Sequence, residues 1–175
     1  FPYAENLKTE ATIKNGSIVV GRDKEIRTML ECLERSENKA IMIIGDSGIG
    51  KTSIINAFVK EICYNKDEML QQVSVVGMNT AKLLAGTSSE NEISQKTVAL
   101  IHKLKEIEQV VLVIDDLQVL LENGNTGKST TLINILNAQI GEGACNLIFT
   151  ITKDAYRKHI EKQSIESKLV VINAE

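Results

Sequence analysis

Residues 40–53 constrain the fold of this chain more than any other stretch. Five apolar residues, 40–44, run directly into a glycine-rich segment that ends in Gly50, Lys51 and Thr52. A short, unbroken apolar run of this kind predicts a strand that is buried on both faces. Glycines at the end of such a strand let the backbone turn tightly and direct several N–H groups inward, where they can surround phosphate oxygens.

The order strand, Gly-x-x-x-x-Gly-Lys-Thr and apolar helical pattern predicts a nucleotide-binding loop. Lys51 is expected to reach the β- and γ-phosphates, and the Thr52 hydroxyl to bind a magnesium ion. The following helix directs the positive end of its dipole at the same anion. The alternative, a glycine-rich turn without a ligand, is disfavoured because all four fixed positions of the motif match. The predicted nucleotide contacts are Gly45, Asp46, Ser47, Gly48, Ile49, Gly50, Lys51, Thr52 and Ser53.

The composition favours one α/β domain with a parallel sheet. A chain of 175 residues is long enough to bury a substantial core, and with only 3% aromatic residues that core must consist mainly of Ile, Leu and Val. The first 17 residues are polar with a modest helical pattern, which predicts a helical linker. Predicted strands alternate with helices along the rest of the chain, at residues 40–44, 73–76, 110–114, 146–151 and 169–172.

Charge and cysteine content exclude several classes of function. The net charge of −3 offers no basic surface for nucleic acid, and no apolar run is long enough to cross a membrane. The three cysteines, at 32, 63 and 145, lack metal-type spacing and are interpreted as buried thiols in a reducing compartment, so a cytoplasmic location is expected. Because the chain begins at Phe1 rather than Met, we also expect it to be a segment of a longer protein.

A second group of candidate residues follows the predicted strand 110–114. Asp115 and Asp116 come directly after it, and a carboxylate at this position can bind magnesium beside a phosphate loop. Asp115 is expected to bind the metal and Asp116 to polarise the attacking water; the alternative is a pair that caps a helix. Thr152 is a candidate for contacting the γ-phosphate or the attacking water, and it can cap a helix at the same time. The two histidines, at 102 and 159, are expected to face solvent.

With these residues in view, the chain resembles the first ATPase module of the Clp/Hsp100 unfoldases, a branch of the AAA+ family. Residues 21–26 match the Gly-Arg-Asp/Glu-x-Glu-Ile start of that module, residues 83–87 match the approach to its pore loop, and residues 154–162 match the stretch after its fourth strand. The resemblance implies a three-layer α/β sandwich, in which a parallel five-stranded sheet of order 5-1-4-3-2 has helices on both faces. It also implies assembly into rings.

The resemblance assigns further roles. It implies that residues 1–17 form a linker, that residues 18–175 form the large nucleotide-binding subdomain, and that the small helical subdomain of the family is absent. It implies that Val19 and Val20 lie in an arm that packs on adenine. It also aligns Thr152 with the threonine that senses the γ-phosphate.

Three departures from the family pattern concern activity rather than binding. Residues 88–92 contain no aromatic residue, whereas the family has one there to grip a translocating polypeptide. Asp116 replaces the usual glutamate, and a carboxylate displaced by about 1 Å can cost on the order of 100-fold in rate. Ser167 and Lys168 replace an arginine pair that completes a neighbour's active site; such arginines are worth roughly 10³–10⁵ in rate, and lysine lacks their planar fork.

The sequence therefore predicts an ATP- or ADP-binding module that requires Mg²⁺. It is expected to hydrolyse ATP slowly in a homo- or hetero-oligomeric ring, with a protein client and without nucleic acid. Two alternatives stay open. One is a nucleotide-binding scaffold with negligible turnover. The other is a signalling switch of the STAND type, whose third strand also commonly ends in Asp-Asp but which the sequence beyond residue 150 fits less well. A DNA-loading AAA+ protein is disfavoured by the acidic balance.

Overall fold

The computed structural model describes residues 2–9, 21–35, 38–87, 89–122, 130–143 and 145–174. Six strands in these ranges form one sheet: β1 (Ala4–Asn6), β2 (Ala40–Ile44), β3 (Ser74–Met78), β4 (Val110–Ile114), β5 (Asn146–Ile151) and β6 (Leu169–Asn173). The helices are α1 (Asp23–Glu34), α2 (Lys51–Tyr64), α3 (Glu68–Gln71), α4 (Thr80–Ala85), α5 (Glu90–Leu104), α6 (Leu117–Leu121), α7 (Thr130–Glu142) and α8 (Lys153–His159), with a 3₁₀ helix at Ser164–Lys168.

The sheet confirms the predicted strand order and adds one strand to it. Its order is β1-β3-β4-β5-β2-β6, so the five parallel strands follow the predicted 5-1-4-3-2 arrangement. The added strand β1 pairs antiparallel with β3, with Ala4 opposite Met78. The prediction of a helical linker was therefore wrong for residues 4–6. These three residues gain the hydrogen bonds of an otherwise open sheet edge, which local sequence patterning does not reveal.

Helices cover both faces of the sheet, which confirms the three-layer sandwich. All five residues of β2 and all five of β4 are buried. Along β2, Met42 packs in one hydrophobic cluster, which includes Leu100 of α5, whereas Ile43 packs in the other, which includes Phe58 of α2. Successive strand residues thus serve opposite faces, as expected for a sheet between two helical layers.

The parallel pairing brings the carboxyl ends of the central strands to one edge. Ile44 at the end of β2 is aligned with Ile151 at the end of β5, and Ile114 at the end of β4 is aligned with Phe149. The residues that follow these strands therefore lie beside one another. In parallel α/β sheets this edge is where ligands bind.

Two smaller expectations from the sequence are corrected by the structure. The second strand was predicted at residues 73–76, whereas β3 spans Ser74–Met78. It continues to Met78 because it pairs with both β1 and β4. The three cysteines are half-buried at the rims of the hydrophobic clusters rather than fully buried. None of the helices in the described ranges combines the length and the apolar character needed to cross a membrane.

Side chains on either side of β1 help to attach this strand to the rest of the fold. Tyr3 is buried, and its hydroxyl donates a hydrogen bond of 3.1 Å to the Lys96 carbonyl of α5. The Leu7 side chain lies over Gly77 of β3, where an added Cβ would come within 2.8 Å of Leu7 Cδ2. The absence of a side chain at position 77 therefore makes room for Leu7.

We predict that Gly77→Ala lowers the free energy of unfolding by about 1–3 kcal/mol, the usual cost of overpacking. The new methyl group must displace Leu7. Urea unfolding of Gly77→Ala, Leu7→Ala and the double variant measures this effect. Because Leu7→Ala removes the clash, the double variant should be more stable than the sum of the two single effects predicts.

A matched control for this prediction is Gly86→Ala. An added Cβ there meets only the flexible Lys96 Nζ, at 3.4 Å, so this change is expected to affect stability less than Gly77→Ala does. Strictly additive effects of Gly77→Ala and Leu7→Ala would contradict the proposed contact.

Candidate functional site

The segment between β2 and α2 has a conformation that requires glycine. Gly48 and Gly50 have φ of 84° and 105°, in the left-handed region that favours glycine. A Cβ added at Gly45 would lie 2.6 Å from Ile49 Cγ2 and 3.1 Å from the Ala174 carbonyl oxygen. The first glycine of the motif is therefore needed for close packing and the other two for backbone geometry.

Lys51 is held inside this loop. Its side chain is buried, with 6% of the residue exposed, and Nζ donates hydrogen bonds to the carbonyl oxygens of Gly45 at 2.6 Å and Asp46 at 2.9 Å. A buried ammonium group is costly unless its charge is compensated. Carbonyl dipoles compensate it only partly, so the interior of the loop favours an anion.

The Thr52 hydroxyl meets the Asp115 carboxylate at the adjacent strand end. Thr52 Oγ1 donates a hydrogen bond of 3.0 Å to Asp115 Oδ2. Hydroxyl and carboxylate oxygens are hard ligands that suit Mg²⁺, which is usually held by one or two protein groups together with phosphate oxygens and water. No cluster of three or more His, Cys, Asp or Glu side chains suitable for a metal occurs in the described residues. The donor set thus fits magnesium bound together with a phosphate ligand.

Asp116 has an unusual backbone conformation. Its φ and ψ are 58° and 54°, it precedes α6, and its side chain makes no helix-capping hydrogen bond. The alternative in which the aspartate pair caps this helix is therefore not supported for Asp116. The side chain is exposed, and its Oδ1 accepts a hydrogen bond of 3.3 Å from Gln118 Nε2. Non-glycine residues in the left-handed region are uncommon, although Asp is among the types that tolerate it.

A cleft of about 300 Å³ adjoins these aspartates. Thr52, Asp115 and Asp116 line one side of it, and Gly77 and Asn79 line the other. The cleft therefore gives the carboxylates access to solvent on the side of β3.

Thr152 lies at the beginning of α8, beside the start of the loop. Its Oγ1 accepts a hydrogen bond of 3.3 Å from the Ala155 N–H and caps the helix. The preceding residue, Ile151, accepts a hydrogen bond of 3.2 Å from the Gly45 N–H. Lys153 Nζ lies 3.9 Å from Asp46 Oδ2. The helix cap is thus present, and the same hydroxyl lies at the edge of the sheet where the loop begins.

Two residues to which the sequence analysis gave no role at the phosphate loop or the aspartate pair also contact the site. Thr150 on β5 hydrogen-bonds to both aspartates. The Arg22 guanidinium donates a hydrogen bond of 3.3 Å to the Ile49 carbonyl of the loop. The Gly-Arg motif at 21–22 could have indicated Arg22, whereas a threonine in an apolar strand gives no signal because threonine is common in strands.

Some residues of the predicted adenine arm and of the predicted pore segment lie outside the described part of the chain. Residues 18–20, with the predicted adenine contacts Val19 and Val20, lie outside the described residues, as does Ser88 of the predicted pore segment. In the rest of that segment α5 begins at Glu90, and the Ser89 hydroxyl caps the helix by accepting a hydrogen bond of 3.3 Å from the Glu92 N–H.

Lys168 is directed toward its own chain. It is half-buried, and Nζ donates a hydrogen bond of 3.2 Å to the Asn137 carbonyl of α7. A Cβ added at Gly141 would lie 3.0 Å from the same Nζ. In this conformation the ammonium group is part of an internal contact between α7 and the 3₁₀ helix.

His159 connects α8 with α6, so the expectation that it faces solvent was wrong. Its side chain is 6% exposed, and Nε2 lies 3.7 Å from Glu122 Oε1 at the end of α6. The expectation holds for His102, which is exposed. Burial lowers the pKa of His159 from its usual value of 6.5, and the nearby Glu122 carboxylate opposes this shift without reversing it.

We predict that His159 makes the fold less stable in acid. The unfolded chain takes up a proton on this imidazole near pH 6.5, whereas the folded chain does so only at lower pH. Below about pH 6.5 the unfolded state therefore binds more protons, and stability falls as the pH decreases. Urea unfolding at about pH 7.5 and about pH 5.5 measures the loss of stability in acid. This loss should be smaller for His159→Gln than for the unsubstituted protein. His102→Gln is the exposed control, and an unchanged loss in His159→Gln would contradict the assignment.

Comparison with known proteins identifies related chains. The family model described as Novel STAND NTPase 1 matches residues 12–173. The chaperone protein ClpB of Malacoplasma penetrans is 33% identical over 164 residues, which cover 91% of this chain and 23% of the relative. The ClpC ATP-binding subunit of the Clp protease from Staphylococcus aureus (strain USA300) is 30% identical over 168 residues, which cover 93% of this chain and 20% of the relative.

Solved structures of yeast Hsp104 have the same fold. The Saccharomyces cerevisiae Hsp104–ADP complex has a TM-score of 0.80 at 27% identity, over 99% of this chain and 24% of that chain. Closed Hsp104 with ATPγS and FITC-casein has a TM-score of 0.80 at 26% identity, over 99% of this chain and 30% of that chain. The chain thus spans about a quarter of the proteins it matches. The family match extends to residue 173, so the objection that the STAND pattern fails beyond residue 150 was wrong.

Proposed function

Since this chain belongs to the Novel STAND NTPase 1 family and is a divergent AAA+ nucleotide-binding module of the Clp/Hsp100 type, we propose that it binds Mg²⁺–ATP and hydrolyses ATP slowly within an oligomeric assembly. The observation that carries the proposal is the buried Lys51 ammonium inside the glycine loop, next to the paired Thr52 hydroxyl and Asp115 carboxylate. Together these groups provide hydrogen-bond donors and positive charge for phosphates, and hard oxygen ligands for magnesium.

In this proposal each residue acts on a stated part of the nucleotide. Loop N–H groups from Gly48 to Thr52 hydrogen-bond the phosphates, and Lys51 exchanges its carbonyl partners for phosphate oxygens. Thr52 and Asp115 would hold Mg²⁺, and a bound Mg²⁺ would supply positive charge beside the phosphates. Asp116 orients the attacking water and accepts its proton, and the Thr152 hydroxyl contacts the γ-phosphate or that water.

Slow turnover is supported by two features of the described residues. Asp116 has a side chain one methylene shorter than the glutamate of the Clp/Hsp100 pattern, so its carboxylate reaches less far toward the water. Lys168, at the position of the trans-acting arginines, is bonded to Asn137 of its own chain. An arginine supplied in trans can contribute roughly 10³–10⁵ in rate, so its loss leaves nucleotide binding while weakening hydrolysis.

We propose assembly and client binding by analogy with the relatives rather than from the site. Hsp104 has been solved with casein, and ClpB is a chaperone. We propose that this module likewise assembles with copies of itself or with related chains, and that it contacts a protein client. The segment between α4 and α5 contains no aromatic residue, and its Ser89 caps α5. Because this segment has no aromatic side chain, we propose that it does not grip a client in that way.

A nucleotide-held switch of the STAND type is the second candidate. The family match over residues 12–173 favours it, and so does the inward contact of Lys168, since a switch does not need efficient hydrolysis. In that case bound nucleotide stabilises one docking conformation, and turnover is negligible even in assembled protein. Both candidate functions require nucleotide binding. The rate of ATP hydrolysis by the assembled protein distinguishes them.

We predict that Lys51→Ala weakens ATP and ADP binding by about two orders of magnitude or more. The variant loses a charge-assisted contact to the phosphates, while the loop glycines and the core are unchanged. Titration with a fluorescent ADP analogue and displacement by ATP measures the affinity. Lys66→Ala, an exposed lysine beyond the end of α2, is the matched control. Micromolar ATP affinity in Lys51→Ala would refute the assignment of the loop.

We predict that Asp116→Glu raises steady-state ATP turnover, by up to about 100-fold, because the longer side chain brings the carboxylate closer to the attacking water. The left-handed backbone at this position suits aspartate better than glutamate, so some loss of stability should accompany the gain. Turnover is measured over a range of protein concentrations, with Asp116→Asn as the variant that lacks a base. An unchanged or lower rate in Asp116→Glu would indicate a site adapted to the shorter acid.

A further inference from the structure

Thr150 is a buried polar residue in an otherwise apolar strand. It lies on β5 with 0% exposure, and its neighbours from Leu147 to Ile151 are buried apolar residues. A buried hydroxyl is costly unless its hydrogen bonds are satisfied. The contacts of this hydroxyl therefore account for its presence in the core.

The Thr150 hydroxyl contacts both aspartates at the end of β4. Oγ1 donates a short hydrogen bond to Asp115 Oδ1 and accepts one of 2.7 Å from the Asp116 N–H. A hydroxyl has one donor hydrogen and two acceptor lone pairs, so the donor and one acceptor position are used. The two bonds link the side chain of the first aspartate to the backbone of the second.

The other oxygen of the same carboxylate contacts the phosphate loop helix. Asp115 Oδ2 accepts the hydrogen bond from Thr52 Oγ1, while Oδ1 is held by Thr150. The carboxylate is thus fixed between two hydroxyls, one on β5 and one on α2. Among the hydrogen bonds of the described residues, Thr52 alone would orient the carboxylate without Thr150, and Thr52 is itself expected to bind the metal.

The backbone contact has a separate consequence. The Asp116 N–H is satisfied by Thr150 at the point where the chain adopts φ of 58°. An unpaired, partly buried N–H would add a desolvation cost to this uncommon conformation. The Thr150 hydroxyl therefore supports the backbone turn at Asp116.

We propose that Thr150 is a positioning residue that orients the Asp115 carboxylate for Mg²⁺ and stabilises the Asp115–Asp116 turn. This rests on the proposed function, because it requires that the site binds Mg²⁺ with a nucleotide. Groups that orient a metal ligand typically change metal affinity by 10–100-fold when they are removed. In this proposal Thr150 acts through Asp115.

The test measures nucleotide binding as a function of Mg²⁺, without relying on turnover. A fluorescent ADP analogue is titrated in EDTA and over a series of Mg²⁺ concentrations, for the unsubstituted protein and for Thr150→Val and Thr150→Ser. Valine keeps the branched shape and removes the hydroxyl, whereas serine keeps the hydroxyl. The matched control is Thr97→Val, which removes another fully buried hydroxyl, one that donates to the Ile93 carbonyl within α5.

We expect Thr150→Val to raise the Mg²⁺ concentration at half-maximal binding by about 10–100-fold. The ADP affinity in EDTA should stay within about twofold, because the phosphate loop is unchanged. Thr150→Ser should restore the Mg²⁺ dependence, and Thr97→Val should leave it unaltered. If Thr150→Val does not fold, Thr150→Cys carries the same expectation, because a thiol is a much weaker hydrogen-bonding group.

Two results would overturn the proposal in distinguishable ways. An unchanged Mg²⁺ midpoint in Thr150→Val, or an equal shift in Thr97→Val, overturns the role of Thr150 while leaving nucleotide binding intact. Failure of the unsubstituted protein to bind ADP, or binding that ignores Mg²⁺, overturns the proposed function and this inference with it.

Discussion

The parallel pairing of β5 with both β2 and β4 determines where the functional groups of this chain lie. Because β5 lies between these two strands, the end of β2 is aligned with Ile151 and the end of β4 with Phe149. The glycine loop, the aspartate pair and Thr152 then follow three adjacent strand ends. No long-range side-chain contact is needed to bring them together. Backbone hydrogen bonding and the burial of both faces of the sheet are sufficient.

The charges at this edge are divided between a buried cation and partly exposed anions. Lys51 is buried among carbonyl oxygens, whereas Asp116 is exposed at the cleft. The Asp115 carboxylate accepts hydrogen bonds from two hydroxyl groups, those of Thr52 and Thr150. Such an arrangement leaves the positive charge of the loop available to phosphates and the carboxylate oxygens available to a metal. In the proposed function it favours binding of a metal–nucleotide complex, and the proposal of slow hydrolysis rests on the shorter Asp116 and on the hydrogen bond of Lys168 within its own chain.

Sequence patterns predicted the central fold because β2 and β4 are unbroken apolar runs that are followed by glycine and aspartate, respectively. The sequence did not predict β1, whose three residues pair with the open edge of the sheet next to Tyr3, a side chain that contacts the distant Lys96. It also misjudged His159, since the burial of this residue depends on α6, more than thirty residues away in the chain. Thr150 was missed because its role depends on its partners across the sheet, which no local pattern encodes. The predicted adenine contacts, Val19 and Val20, lie outside the described residues and stay predictions.

A crystal structure of the protein with ADP and Mg²⁺ would test the central claim most directly. The account predicts that the β-phosphate accepts hydrogen bonds from N–H groups of the Gly45–Thr52 loop and from Lys51 Nζ. It also predicts that the metal ion contacts Thr52 directly and Asp115 directly or through water. Nucleotide bound at another surface, or a loop that leaves Lys51 on its carbonyl partners at saturating ADP, would contradict the account.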